Sequence, residues 1–203
     1  MDLYFILSGT LFILCVFGVF EKFLKYCQLN RWMVSGFLFL STIFSVIGNI
    51  SISGTSVSFN LFLYIVAFLI LFIRKNSPKG ILFVLLTFLT TIAVLVCYNA
   101  VNLSSFEYAF IQPYVYVSIV LGFLFSLFCQ NFSSAFCGTI LGSIIFEIIF
   151  HQLSVNSYNE ALIIGNDFSI TYTLICSVSF IFFYGFNSLL KTIKQRKREK
   201  IKT

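Results

Sequence analysis

The stretch Ile81-Leu82-Phe83-Val84-Leu85-Leu86-Thr87-Phe88-Leu89-Thr90-Thr91-Ile92-Ala93-Val94-Leu95-Val96-Cys97-Tyr98 contains no charged residue, no proline and no glycine. Its Val, Ile and Phe would favour strand in water. In lipid, however, every backbone N–H and C=O must find a partner within the protein, and a helix satisfies them all inside one segment. The length matches the roughly 20 residues that a helix needs to cross the hydrocarbon layer. The stretch therefore reads as a membrane-spanning helix, and the rest of the chain resembles it. Of 203 residues, 59% are hydrophobic, 19% aromatic and 10% charged, against about 25% charged in a soluble domain. With 28 Phe and 2 Pro, this composition excludes a water-soluble globule, a disordered chain and a collagen-like or repeat-array protein.

Six further apolar runs flank the first: Leu3 to Phe20, Met33 to Gly48 and Val57 to Ile73 before it, and Pro113 to Cys129, Ser134 to Phe150 and Ile170 to Leu190 after it. The expected fold class is an all-α integral membrane protein of seven transmembrane helices. Residues 1–190 form one transmembrane domain and 191–203 a basic tail.

Charge sets the orientation, because cytoplasmic loops are enriched in Lys and Arg near span ends. Lys22, Lys25 and Arg31 follow the first run, and Arg74, Lys75 and Lys79 follow the third. Lys191, Lys194, Arg196, Lys197, Arg198, Lys200 and Lys202 follow the seventh, and together these are all 13 Lys and Arg of the chain. The other ends carry Asp2, Glu107, Glu160 and Asp167. Only an odd number of spans places the three basic groups on one side, so the N-terminus is expected outside and the C-terminus in the cytoplasm, with the loop from Gln130 to Ser133 also cytoplasmic. A cleaved signal peptide would need a positive start and a small-residue cleavage site. Here Asp2 precedes the first run and Glu21 and Lys22 follow it, a pattern that retains the helix. The basic tail reads as a topology anchor lying against anionic lipid headgroups, and nothing in it points to nucleic acid.

Cys15, Cys27, Cys97, Cys129, Cys137 and Cys176 are scattered, mostly inside apolar runs, and read as small core residues. Neither a disulfide framework nor a zinc site has the required spacing. In Asn49 to Phe59, Ile50, Ile52, Val57 and Phe59 alternate with Ser around Ser53 and Gly54. That periodicity predicts a short outward β-hairpin or extended loop over residues 49–59.

Two stripes of small residues recur every four positions: Ser118, Gly122 and Ser126 in the fifth run, and Ser134, Gly138 and Gly142 in the sixth. Small residues let helix backbones approach closely in lipid. With only a short connection between the two runs, the stripes are expected to face each other in an antiparallel helical hairpin. One turn around, Thr139, Ser143, Glu147 and His151 also recur at four-residue steps and so share a helix face. Glu147 is the sole acid within a run and His151 the sole histidine. A carboxylate at mid-bilayer costs about 2.5–3.5 kcal/mol on insertion scales and usually marks a functional path. Glu147, His151 and Asp167 are therefore the candidate proton- or cation-binding residues, with the alternative that Glu147 and His151 simply pair with each other or with neighbouring hydroxyls.

The stretch Gly138-Thr139-Ile140-Leu141-Gly142, with an acid following at Glu147, resembles the G-T-x-x-G motif and downstream acid of an uncharacterised bacterial multi-pass membrane family, domain of unknown function 1614. In that family an outward Gly-containing turn precedes an early span and a second acid opens the last. Gly54 and Asp167 occupy comparable places. The acid here is Glu rather than the family's Asp, and the turn is less Gly-rich. The resemblance implies a bacterial cytoplasmic membrane, singles out Gly138, Gly142, Glu147 and Asp167, and supplies no reaction.

Two functions compete. The first is a small transporter or transporter subunit with a proton or cation site near the outer leaflet. The second is a noncatalytic scaffold or assembly factor that acts by helix packing with a membrane-protein partner or a second copy. An intramembrane metal hydrolase ranks below both, since a catalytic zinc site normally needs three protein ligands and a base. No nucleophile elbow, Walker loop, dinucleotide fingerprint or H-E-x-x-H motif is present, so no cofactor is expected.

Overall fold

A computed structural model describes residues 3–52, 55–75, 78–100, 113–129, 131–155, 162–165 and 167–202. Asp2, Ser53, Gly54, Glu107, Gln130 and Glu160 lie outside the described residues. The chain is mostly helical. Its elements are α1 (Leu3–Val16), α2 (Glu21–Tyr26), α3 (Arg31–Ile47), β1 (Asn49–Ile52), β2 (Thr55–Ser58), α4 (Phe59–Lys75), α5 (Pro78–Ala100), α6 (Pro113–Phe128), α7 (Phe132–Val155), β3 (Leu162–Ile164) and α8 (Asp167–Lys202).

Each apolar run coincides with a helix. Among the described residues, three segments are long and apolar enough to cross a membrane: Lys79–Tyr98, Phe132–Ile149 and Phe168–Gln195. The apolar parts of α1, α3, α4 and α6 are shorter. The first run ends early, where Gly18 takes φ +78° and the chain turns into α2. An arginine fastens this corner: Arg31 donates one guanidinium N–H to the Val16 carbonyl and another to Glu21 Oε2 at 3.4 Å, while Lys25 pairs with Glu21 at 2.8 Å. A cation at the carbonyl end of α1 complements the helix dipole. Phe23 of α2 then stacks on Phe182 of α8, with ring centroids 5.7 Å apart.

The alternation in residues 49–59 does produce a hairpin. β1 and β2 pair antiparallel, Ile50 opposite Val57. The sequence reading missed the third strand, β3, which pairs parallel with β2, Val57 opposite Ile164. This small sheet sits at one end of the bundle and α2 at the other.

The stripes of small residues do not face each other, and here the structure corrects the sequence reading. α7 packs along α5: a Cβ on Gly138 would come within 2.8 Å of the Val84 carbonyl, and one on Gly142 within 2.7 Å of Thr91 Cβ. Thr87, one turn before Thr91, donates its hydroxyl to the Ser134 carbonyl at 3.2 Å. The partners advance together, 87 with 138 and 91 with 142, so α5 and α7 run parallel. Gly122 of α6 instead meets α8, where a Cβ would lie 2.6 Å from the Cys176 carbonyl. In both pairs the glycine stripe seeks another narrow surface, Thr87 and Thr91 on α5 and Cys176 and Ser179 on α8. α6 and α7, although adjacent in sequence, do not pack along each other.

The core around Leu95, Leu121, Phe125 and Phe180 is apolar, but many small polar side chains are buried with it and large apolar ones face outward. Ser8, Thr87, Thr91, Ser118, Thr139, Ser143, Thr171 and Thr173 are buried, while Phe17, Ile73, Leu82, Val120 and Phe186 are exposed.

Candidate functional site

Glu147 lies on α7 with 7% of its surface exposed. The stripe that carries it faces α8. Thr139 Oγ1 lies 3.8 Å from Cys176 Sγ, and Ser143 Oγ lies 3.2 Å from Thr173 Oγ1. These hydroxyls also bond back to their own helices: Thr139 donates to the Ala135 carbonyl at 2.8 Å, and Thr173 donates to the Ser169 carbonyl at 2.8 Å. Such back-bonding lets Ser and Thr sit in an apolar interior at little cost. From Thr139 to Glu147 the seam rises about 12 Å at 1.5 Å per residue.

At the sheet end of this seam, Glu147 Oε2 accepts the backbone N–H of Gly165 at 2.8 Å. Gly165 follows β3 directly, so the bond fastens the sheet to α7. Two features make glycine necessary there. Its φ is +71°, and a Cβ would lie 2.8 Å from Leu61 Cβ on α4. One carboxylate thus ties α7 to β3 at a point where α4 closes in from the other side. An ionised carboxylate makes this a charge-assisted hydrogen bond, about twice as strong as a neutral one. Neutralising it weakens the tie without removing the atoms.

Of the three residues expected to bind a proton or cation, Glu147 is placed in full. His151 follows it by one turn on α7, and Asp167 opens α8; the side chains of both lie outside the described residues. No group of three or more His, Cys, Asp or Glu that could hold a metal ion occurs among the described residues. Of the six packing residues, Ser118, Ser126 and Ser134 are buried and Gly122, Gly138 and Gly142 sit at the close approaches already described.

The sequence reading missed the α8 side of the seam. Ser169, Thr171 and Thr173 form a polar run at the start of α8, which is the sequence signal for it. It also missed a buried network joining α1, α3 and α4. There Tyr4 bonds Ser41, Ser41 donates to Asn60 Oδ1 at 3.2 Å, and Tyr4 donates to Tyr64 at 3.4 Å. Asn60, 1% exposed at the start of an apolar run, was the clue to it.

Comparison with family models, with curated proteins and with solved structures finds no match to this chain.

Proposed function

We propose that this chain is a seven-span cell-membrane protein, N-terminus outside and basic tail in the cytoplasm, and that it works as a small transporter or transporter subunit. The proton- or cation-responsive group is Glu147, near the outer leaflet. The observation that carries this reading is the position of Glu147: a buried carboxylate at the head of a polar seam, fastened to the backbone of the capping sheet. Interior polar groups surrounded by apolar outer faces suit a protein solvated by lipid, where ionisable residues face the bundle interior and mark ion paths. Charge sorting supports the orientation, and the G-T-x-x-G likeness, with its acid at Glu147, points to the same helix.

In this mechanism, protonation or cation capture at Glu147 loosens its bond to Gly165 and frees the sheet from α7, opening the outer end of the seam. The scaffold alternative is weaker because Gly122, Gly138 and Gly142 are occupied by contacts within the chain and leave no small-residue stripe for a partner there. Reconstituted vesicles test the proposal. Glu147→Gln keeps the shape and removes the charge, and should abolish a pH-dependent proton or cation flux. A flux equal to the unaltered protein's would overturn the assignment.

A further inference from the structure

At the α2 end of the bundle, opposite Glu147, two cavities meet. The first has a volume of about 270 Å³ and is apolar, walled by residues such as Leu24 of α2, Phe37 of α3, Ala67 of α4, Phe136 of α7 and Val178 of α8. The second, about 360 Å³, is bounded by Cys27, Gln28, Asn131 and Ser133. Leu29, Leu71 and Phe132 wall both, so an apolar slot continues into a polar chamber.

The polar chamber sits on the start of α7. The first backbone N–H groups of a helix have no intrahelical acceptor, and the helix dipole adds partial positive charge there. This helix has 24 residues, and such a terminus attracts anions, phosphate above all. An independent observation points the same way. Ser133, in the first turn, is 2% exposed, lines the chamber, and its hydroxyl has no hydrogen-bond partner among the described residues. A buried polar group without a partner costs about 1–3 kcal/mol, a cost that a phosphate oxygen accepting from Ser133 would relieve. Lys22, Lys25 and Arg31 on α2 and α3, offset in part by Glu21, leave net positive charge at this end.

We propose that these cavities bind one phospholipid of the cytoplasmic leaflet, with an acyl chain in the apolar slot and its anionic phosphate headgroup over the start of α7 against Ser133. Free phosphate shares the headgroup chemistry but has nothing to place in the slot, which is why the assignment is to a lipid. Neither Glu147 nor a residue of the basic tail is among the described residues that line the site. It rests on the sidedness proposed above only for the choice of leaflet.

The test uses the full chain in mild-detergent micelles, where sidedness plays no part, and follows thermal unfolding as lipid is added. Phosphatidylglycerol should raise the melting temperature, while inorganic phosphate at the same concentration should leave it unchanged. Ser133→Asp places a negative charge beneath the headgroup and should raise the half-maximal lipid concentration roughly tenfold or more. Ala67→Phe, which fills the slot, should do the same without touching the polar chamber. If Ser133→Asp does not fold, Ser133→Ala replaces it, with a smaller shift in the same direction. Inorganic phosphate stabilising as well as the lipid would overturn the proposal, as would variants that respond to lipid like the unaltered protein. Either result leaves the Glu147 flux assay standing, so the two readings fail separately.

Discussion

A hydrogen bond from the Gly165 N–H to Glu147 connects the only acid inside an apolar run to the sheet. Glu147 was legible in the sequence because a carboxylate in such a run is costly and therefore conspicuous. Gly165 was not, since its importance comes from a positive φ and from the approach of Leu61 on a helix far away in sequence. Gly165→Ala adds one methyl group and should destabilise the protein by about 2 kcal/mol or more, combining left-handed backbone strain with overpacking against Leu61. Thermal unfolding in micelles measures this, and an unchanged melting temperature would mean that neither constraint holds. A cycle with Glu147→Gln adds a second check. A methyl group that displaces Gly165 also disturbs its N–H bond to Glu147, so the two effects should fall short of additive.

Between elements, the lesson concerns what a small-residue stripe encodes. It marks a face that can be approached closely, but it does not name the partner. Ser118-Gly122-Ser126 and Ser134-Gly138-Gly142 looked complementary because they adjoin in sequence, yet each found a different helix two elements away. The missing information lay on the partners: Thr87 and Thr91 repeat at the same four-residue step on α5 and were hidden within a run dominated by Leu and Val. The α5 to α7 contact makes a prediction that the rejected arrangement does not. Gly138→Ala should cost about 1–3 kcal/mol by overpacking. Thr87→Ala, which removes the hydroxyl that lies nearest the added methyl group, should recover part of that loss, with a coupling of about 0.5–3 kcal/mol. Ser126→Ala should recover none. Rescue by Ser126→Ala rather than Thr87→Ala, read from unfolding midpoints, would restore the pairing of α6 with α7.

Across the whole molecule, the apolar runs were readable because lipid leaves the backbone almost no choice but helix, and the hairpin because period-two alternation survives in so short a segment. α2 and β3 were not readable: the first is 6 residues and the second 3, too short for any periodicity to register. Helix length adds a property that composition alone did not reveal. At 1.5 Å per residue, the 14 residues of α1 reach about 21 Å, and the 17 of α3 and of α4 about 25 Å. The hydrocarbon core is about 30 Å thick, which α5 and α7, with 23 and 24 residues, are long enough to cross. The short helices α1, α3 and α4 pack together, α1 on α3 and α3 on α4, while the fourth short helix, α6 with 16 residues, lies against α8. In a bilayer, the flank made by α1, α3 and α4 would be shorter than the average hydrocarbon core, and mismatch costs a fraction of a kcal/mol per Å. Summed over three helices, that cost should make the protein more stable in thin bilayers than in thick ones. In vesicles of phosphatidylcholines that differ only in acyl-chain length, the melting temperature should fall steadily as the chains lengthen. A melting temperature that rises with chain length, or stays level, would show that the short flank is not in contact with lipid and would remove the length argument for this end of the bundle.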